Sequence, residues 1–134
     1  MAKREGLPHL QGQIAGERPV RVHVVEDDAG VSDSLGLILA NLGYEVVSYP
    51  DAESLFRASP PAGSDTVIVD LSLPGISGGQ AVRWLQKLAE PPSVVVISGQ
   101  SQSAIDHQLR GLKPVGVVRK PLNVESLARA IPTH

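Results

Sequence analysis

Acidic residues stand directly after two of the apolar segments of this 134-residue chain. Glu26, Asp27 and Asp28 follow the run VRVHVV, and Asp70 follows the run TVIV. Like charges about 4 Å apart repel one another by roughly 4 kcal/mol at an effective dielectric near 20, so a cation is expected to offset their repulsion. Mg²⁺ prefers oxygen ligands at about 2.0 to 2.1 Å and keeps several waters, so two or three carboxylates and a carbonyl suffice. These residues therefore predict a magnesium site.

Two further apolar runs end in polar residues, at Ser98 after SVVVI and at Lys120 after VGVVR. A carboxylate beside a metal and a lysine can act as a nucleophile toward a phosphoryl group, because the cations neutralise charge on the transferring oxygens. Asp70 suits this role, since the prolines and glycines of LSLPGISGG turn the chain away after it. Lys120 suits a point-charge contact with phosphate, and the Ser98 hydroxyl can donate to another phosphate oxygen. The predicted chemistry is phosphoryl transfer to Asp70.

Five short, valine-rich runs are predicted to be the strands that position these groups. The runs are mostly continuous rather than alternating, which is typical of strands buried on both faces of a parallel sheet. They lie at 20–25, 44–49, 66–71, 93–98 and 115–120. Helices are predicted after them, at 31–43, 51–58, 77–90, 101–112 and 123–131. With right-handed crossovers, this order predicts a doubly wound α/β fold, in which a five-stranded parallel sheet is flanked by five helices. Such sheets bind ligands at the carboxyl ends of their strands, where the polar groups are expected to meet.

Several helix ends carry residues that favour them. Asp51 and Asn123 are predicted N-caps, Asp28 is predicted to favour the start of the first helix through its negative charge, and Gly43 is predicted to close that helix. Asp28 is therefore expected to support that helix rather than to bind metal. The fourth helix is expected to be the weakest, because it has few apolar anchors. His23, inside the first strand, is predicted to be a hydrogen-bonded core residue rather than a site of phosphoryl transfer.

The composition is that of one globular domain, with 42% hydrophobic and 19% charged residues and a net charge of −2. A nucleic-acid-binding surface is normally basic, so direct DNA binding is not expected. No apolar run approaches the roughly 20 residues that a membrane span requires. The chain has no cysteine and its four histidines are not clustered, so a zinc site is disfavoured. The lack of cysteine also fits a reducing compartment, so a cytoplasmic location is expected. Residues 1–19 are predicted to be a flexible N-terminal tail, and residues 20–134 the folded domain.

Four motifs occur in the order VVEDD, VIVDLSLPGISG, VVVISG and VVRKP, spread over residues 24–121. In this order they resemble the receiver domain of response regulators in two-component signalling, the CheY-like superfamily. The resemblance implies a flavodoxin-like (βα)5 fold. It also implies that Asp70 is a phosphoacceptor that takes its phosphoryl group from a histidine kinase. Ser98 corresponds to the hydroxyl switch residue and Lys120 to the lysine that contacts the phosphoryl group.

The resemblance also assigns the metal ligands. Glu26 and Asp27 correspond to the family's acidic pair that holds Mg²⁺, and Asp70 and the backbone carbonyl of Ser72 complete the set. Pro121, after Lys120, corresponds to a proline that often follows a cis bond in the family. One departure from the family pattern is Val117, where an aromatic residue is common.

The function implied by the resemblance is that of a single-domain response regulator in a phosphorelay. It would catalyse only its own phosphorylation and dephosphorylation. Its expected partners are a sensor histidine kinase or a histidine phosphotransfer protein, and a downstream protein bound by helix 4, strand 5 and helix 5. A homodimer is a further possibility, and neither nucleic acid nor membrane is an expected partner.

Other interpretations remain open at this stage. The chain can be a receiver from a larger regulator or hybrid kinase, or a degenerate receiver that serves only as an interaction module. A Mg²⁺-dependent phosphatase acting through an aspartyl phosphate is an alternative, although such enzymes usually carry a carboxylate where Ser72 stands. A flavodoxin-like cofactor module is another, but the chain offers few aromatic residues to stack on a flavin.

Overall fold

The structure, a computed structural model, describes residues 20–132, in which the five valine-rich runs form one parallel sheet. The strands are β1 Arg21–Val25, β2 Glu45–Tyr49, β3 Thr66–Asp70, β4 Ser93–Ser98 and β5 Gly116–Arg119. The helices are α1 Ala29–Asn41, α2 Ala52–Arg57, α3 Gly78–Gln86, α4 Gln102–Gln108 and α5 Val124–Ala130. The predicted tail, residues 1–19, lies outside the described residues.

The strand order is β2-β1-β3-β4-β5, so the direction of winding reverses between β1 and β3. Every neighbouring pair is parallel. In this register Asp70 lies opposite Ile97, and Ser98 lies opposite Arg119. The carboxyl ends of β1, β3, β4 and β5 therefore meet at one edge of the sheet, beside the point where the strand order reverses.

The sheet separates two apolar clusters, one on each face. Val25 and Val69 belong to the cluster that also contains buried residues of α2, α3 and α4. Val24 and Ile68 belong to the cluster that contains buried residues of α1 and α5. Burying a valine, leucine or isoleucine side chain contributes roughly 1.5 to 3 kcal/mol, so both faces stabilise the sheet. The predicted doubly wound fold is confirmed.

The helix ends follow the predicted capping residues. Asp28 Oδ1 accepts a hydrogen bond from Val31 N at 3.1 Å and caps α1, which begins at Ala29. Asp51 and Asn123 cap α2 and α5 in the same way. Gly43, just past α1, has a φ of 96°, a conformation that glycine adopts without strain. These four predictions are confirmed.

Two helices are shorter than the sequence predicts. α3 ends at Gln86 instead of residue 90, and α4 ends at Gln108 instead of residue 112. Ile105 is the buried residue of α4, whereas Leu109 and Leu112 pack against the core from the turn that follows. With so little buried surface, α4 has weak support from the core. The expectation that the fourth helix is the weakest stays a prediction, because α5 also has a single buried residue, Leu127.

His23 is buried in β1, and both of its ring nitrogens have partners. Nδ1 lies 2.9 Å from the Tyr49 hydroxyl, and Nε2 lies 2.9 Å from Asp65 Oδ2. Asp65 Oδ2 also accepts from Ala62 N at 3.0 Å. The prediction of a hydrogen-bonded core histidine is confirmed.

Within residues 20–132, no helix combines the length and the apolar character that crossing a bilayer requires.

Candidate functional site

Three acidic side chains gather at the carboxyl ends of β1 and β3. Oxygens of Glu26, Asp27 and Asp70 all lie within 4.8 Å of one another. Glu26 is 2% exposed and Asp70 is 1% exposed, whereas Asp27 is exposed. The clustering predicted from the sequence is therefore present, with two of the three carboxylates buried beside each other.

Lys120 brings a positive charge into contact with this cluster. It follows β5, and its Nζ lies 3.2 Å from Asp70 Oδ2 and 3.2 Å from Glu26 Oε1. Burial lowers the pKa of Lys120, but the hydrogen bond to Asp70 and the charges of Asp70 and Glu26 outweigh burial and leave this pKa raised. The lysine is therefore a firmly held cation between two carboxylates.

The two carboxylate oxygens of Glu26 differ in their hydrogen bonding. Its Oε2 accepts a hydrogen bond from Asp28 N at 3.1 Å. Its Oε1 is buried and lacks a hydrogen-bond donor among residues 20–132, because the Lys120 ammonium comes close without a directed hydrogen bond. Burial and the neighbouring Asp70 raise the pKa of Glu26 to about 7. A buried carboxylate oxygen of this kind still has capacity for a cation.

The donor set fits Mg²⁺ on these observations. Three carboxylates share one small volume, and Glu26 Oε1 is without a hydrogen-bond donor in the described part of the chain. Mg²⁺ takes oxygen ligands, keeps several waters and needs few protein groups. A divalent cation would also remove the repulsion between Glu26 and Asp70 that one lysine balances only in part.

Asp70 presents both carboxylate oxygens to hydrogen-bond donors. Oδ1 accepts from Ser72 N at 2.9 Å, and Oδ2 accepts from Lys120 Nζ at 3.2 Å. The loop that follows leads into α3, whose first residue, Gly78, packs directly on the end of β3. A Cβ atom at Gly78 would lie 2.5 Å from the backbone oxygen of Asp70, so only glycine allows this approach without a shift.

Ser98 ends β4 beside Asp70 and is buried. Its Oγ accepts a hydrogen bond from Gln100 N at 2.9 Å. Its backbone oxygen accepts from Lys120 N at 2.9 Å, so the ends of β4 and β5 are joined at this point. The peptide bond between Lys120 and Pro121 is cis. The hydroxyl and the ammonium are therefore positioned by adjacent strand ends.

The structure separates the three acidic residues of the VVEDD motif. Glu26 and Asp27 are in the carboxylate cluster, whereas the Asp28 side chain caps α1. The expectation that Asp28 supports the helix is confirmed. Val117 is 43% exposed on β5, so the position where an aromatic residue is common in the family lies at the surface.

Sequence reasoning missed one residue next to the site. Gln108 ends α4, and its side chain hydrogen-bonds the backbone oxygen of Leu71, the residue after Asp70. No local pattern marks this glutamine, because its contact spans 37 positions of the chain. Only the fold brings it to the acceptor loop.

Comparisons with known proteins place these features in context. A family model, that of the response regulator receiver domain, matches residues 22–132. The chain is 28% identical to the chemotaxis protein CheY of Treponema pallidum, over 98% of this chain and 96% of that protein. It is 24% identical to the transcriptional regulatory protein FixJ of Bradyrhizobium diazoefficiens, over 82% of this chain. The aligned part spans 54% of FixJ, so this chain corresponds to about half the length of that regulator.

A solved structure shares the fold. It is the receiver domain of the sensor histidine kinase PA1611 from Pseudomonas aeruginosa PAO1, described with a magnesium ion coordinated in its active-site cleft. It aligns with a TM-score of 0.75 and 18% identity, over 84% of this chain and 93% of that one. The resemblance and the flavodoxin-like fold predicted from the sequence motifs are confirmed. Because the family model covers residues 22–132, this chain belongs to the response regulator receiver domain family of two-component signalling.

Proposed function

We propose that this receiver accepts a phosphoryl group on Asp70 and changes its partner-binding surface in response. The observation that carries the proposal is the pairing of Asp70 with Lys120 at 3.2 Å inside a cluster of three carboxylates. A carboxylate held beside a lysine at a strand end is arranged for attack on phosphorus. The proposed donor is a phosphohistidine of a sensor histidine kinase or a histidine phosphotransfer protein.

In the proposed reaction, an Asp70 oxygen forms a bond to phosphorus while the P–N bond of the phosphohistidine breaks. The imidazole leaves with the bonding electron pair, and Asp70 becomes an acyl phosphate. Lys120 contacts the transferring oxygens as a point charge. The Ser98 hydroxyl, which accepts from Gln100 N in this structure, turns to donate to a phosphoryl oxygen.

We propose that Glu26, Asp27 and Asp70, with the backbone carbonyl of Ser72, hold Mg²⁺. The bound ion would neutralise negative charge on the phosphoryl oxygens during transfer. Glu26 Oε1, which is buried and lacks a hydrogen-bond donor in the described part of the chain, supports this assignment. The magnesium described for the PA1611 receiver concerns a protein of the same fold and agrees with it.

The proposed output is a movement of the surface formed by α4, β5 and α5. Phosphorylation adds about −1.5 to −2 of charge and strong acceptor oxygens, by analogy with other phosphoresidues, and draws Ser98 and Lys120 toward it. A downstream protein, or a second copy of the chain, would bind this surface. The match with CheY over 96% of that protein supports a single-domain regulator. The match with half of FixJ supports the alternative of a receiver from a larger regulator.

The test compares Asp70→Asn with Asp28→Asn in the presence of Mg²⁺ and a small-molecule phosphoramidate. Asp70→Asn should abolish acid-labile phosphate uptake, because the amide is not a nucleophile of comparable strength. Asp28→Asn should retain most of it, since Asn also serves as an N-cap. Labelling of Asp70→Asn to the level of the parent would refute the proposal.

A phosphatase that turns over through an aspartyl phosphate is the second candidate. It shares the nucleophile and the metal site, but its usual general acid would occupy the position of Ser72. We expect no steady turnover of a phosphomonoester by the parent chain. Continuous release of phosphate over many turnovers would favour the phosphatase.

A further inference from the structure

The side chain of Gln108 joins three separate segments next to the phosphoacceptor. Its Nε2 donates to the backbone oxygen of Leu71 at 3.2 Å and to Gln100 Oε1 at 3.1 Å. Its Oε1 accepts from Gly79 N at 3.4 Å. One planar amide at the end of α4 therefore contacts the loop after β3, the loop after β4 and the first turn of α3.

This arrangement uses both N–H donors of the amide and one acceptor site of its oxygen, in one orientation. The carbonyl of Leu71 can only accept and the N–H of Gly79 can only donate, so the Gln108 nitrogen and oxygen cannot be exchanged. Gln108 is half-buried, which limits competition from water. Together the three hydrogen bonds fix the end of α4.

Both loops that Gln108 contacts begin at a residue of the site. Leu71 directly follows Asp70. Gln100 N donates to Ser98 Oγ at 2.9 Å, the hydroxyl that is proposed to turn toward the phosphoryl group. Gln108 thus hydrogen-bonds the neighbour of the phosphoacceptor and the residue that holds the switch hydroxyl.

A second contact shows that α3 and α4 meet closely here. A Cβ atom at Gly79 would lie 3.0 Å from the backbone oxygen of Gln108, a tighter approach than side-chain-bearing residues normally allow. Glycine at this position lets the first turn of α3 lie against the last turn of α4. The backbone approach and the side-chain hydrogen bonds of Gln108 are independent observations of the same junction.

We infer that Gln108 is a positioning residue that couples α4 to the phosphoacceptor site. The inference rests on the proposed phosphorylation of Asp70. When Ser98 Oγ turns toward the phosphoryl group, it moves away from Gln100 N and their hydrogen bond breaks, so the loop carrying Gln100 is free to shift. The amide of Gln108 cannot follow that loop and keep its hydrogen bond to Leu71, so the end of α4 moves.

The test measures amide chemical shifts of the ¹⁵N-labelled chain before and after addition of Mg²⁺ and beryllofluoride, a phosphoryl mimic. The Ser72 amide reports on the site, and the amides of Ala104 and Ile105 report on α4. In the parent, both sets should shift. In Gln108→Met, which keeps the length of the side chain and removes its hydrogen bonds, the Ser72 shift should persist. The α4 shifts should fall below about half of those in the parent.

Gln102→Met is the matched control. Gln102 lies in the first turn of the same helix and hydrogen-bonds Asp106 and Arg119 at the surface. This variant should respond as the parent does, because its contacts do not reach the phosphoacceptor loop. Gln100→Met removes the partner of one of the three hydrogen bonds of Gln108, so it should give an α4 response between those of the parent and Gln108→Met. This variant provides the test if Gln108→Met does not fold.

The outcomes separate this inference from the function on which it rests. A parent whose Ser72 amide does not respond would overturn the proposed function and this inference with it. If Ser72 responds in all variants and Gln108→Met keeps the full α4 response, the inference alone is wrong. A merely structural role of Gln108 would lower the thermal unfolding midpoint without changing the ratio of α4 shift to Ser72 shift.

Discussion

At the scale of the residue, Glu26 shows most directly how burial and charge oppose each other in this site. It is 2% exposed, lies in a cluster with two aspartates, and has one oxygen without a hydrogen-bond donor in the described segment. The nearby Lys120 ammonium balances part of this charge. The raised pKa of Glu26, about 7, expresses the remaining cost of ionising it without a metal.

This cost predicts a pH dependence of the stability of the metal-free protein. The pKa of Glu26 is about 7 in the folded chain, against an ordinary value of 4.5, so the folded state binds more protons between these values. The free energy of unfolding should therefore fall as the pH rises from about 4.5 to 7, by the amount that Glu26 contributes. Glu26→Gln does not titrate and lacks this fall. The measurement is urea unfolding in the presence of EDTA across this pH range.

Comparing the parent with Glu26→Gln isolates the contribution of Glu26 to the pH dependence, because all other titrating groups are present in both proteins. The stability of Glu26→Gln relative to the parent should increase with pH and level off above about 7. A difference that stays constant with pH would contradict the assigned environment of Glu26. Adding Mg²⁺ should stabilise the parent more than Glu26→Gln, since the variant loses one anionic ligand.

At the scale of the element, the start of α3 determines how firmly the phosphoacceptor is held. The helix is fixed by a capping box, in which Ser77 Oγ accepts from Gln80 N and Gln80 Oε1 accepts from Ser77 N. Its first residue, Gly78, lies against the end of β3 with no room for a side chain. The position of Asp70 therefore depends on a glycine at the first position of the helix that follows β3.

Gly78→Ala should destabilise the protein and disturb the site. The new Cβ would lie 2.5 Å from both the backbone oxygen of Asp70 and Leu71 Cα, so the backbone must shift. We expect a loss of about 3 kcal/mol in the free energy of unfolding, more than the helical preference of alanine returns. Phosphate uptake should fall as well, because Asp70 moves.

Gly36→Ala provides the control for this prediction. Gly36 is inside α1, and a Cβ atom there would meet nothing within 4 Å. Alanine should stabilise this helix by about 0.5 to 1 kcal/mol, with uptake unchanged. Denaturant unfolding of both variants measures the two effects, and a Gly78→Ala protein as stable as the parent would rule out the close packing described.

At the scale of the whole molecule, a polar network around the buried His23 joins β1 to β2 and to the start of β3. His23 of β1 contacts Tyr49 of β2 and Asp65, which directly precedes β3. The imidazole ring also stacks on the Tyr49 ring, with centroids 5.8 Å apart. These contacts hold together the strands whose carboxyl ends carry Glu26 and Asp70.

His23→Leu should cost about 3 kcal/mol of folding stability, because it leaves the buried Asp65 carboxylate without its imidazole partner. Adding Asp65→Asn should recover part of this loss, since asparagine is neutral and still accepts from Ala62 N, as Asp65 does. Chemical unfolding of the two single variants and the double variant gives the coupling energy. Additive losses would show that the two side chains do not act as a pair.

Much of the fold followed from local pattern. Valine-rich runs and capping residues predicted all the strands and the starts of α2 and α5 within a few positions. Burial on both faces leaves a continuous apolar run in the sequence, and a capped helix start leaves a characteristic residue type at one position. The ends of α3 and α4 were predicted too late. A helix end depends on how far its apolar face stays in contact with the sheet, and that is decided by packing.

By itself, the sequence determined the fold class, the order of the elements and the identity of the acidic, hydroxyl and amine groups at the strand ends. The parallel arrangement was sufficient to predict that these groups converge. Only the tertiary structure decided that Lys120 lies between Glu26 and Asp70, that one Glu26 oxygen is without a hydrogen-bond donor among residues 20–132, and that Gln108 reaches Leu71. These facts depend on distances between residues far apart in the chain, and such distances arise from packing and leave no pattern in the local sequence.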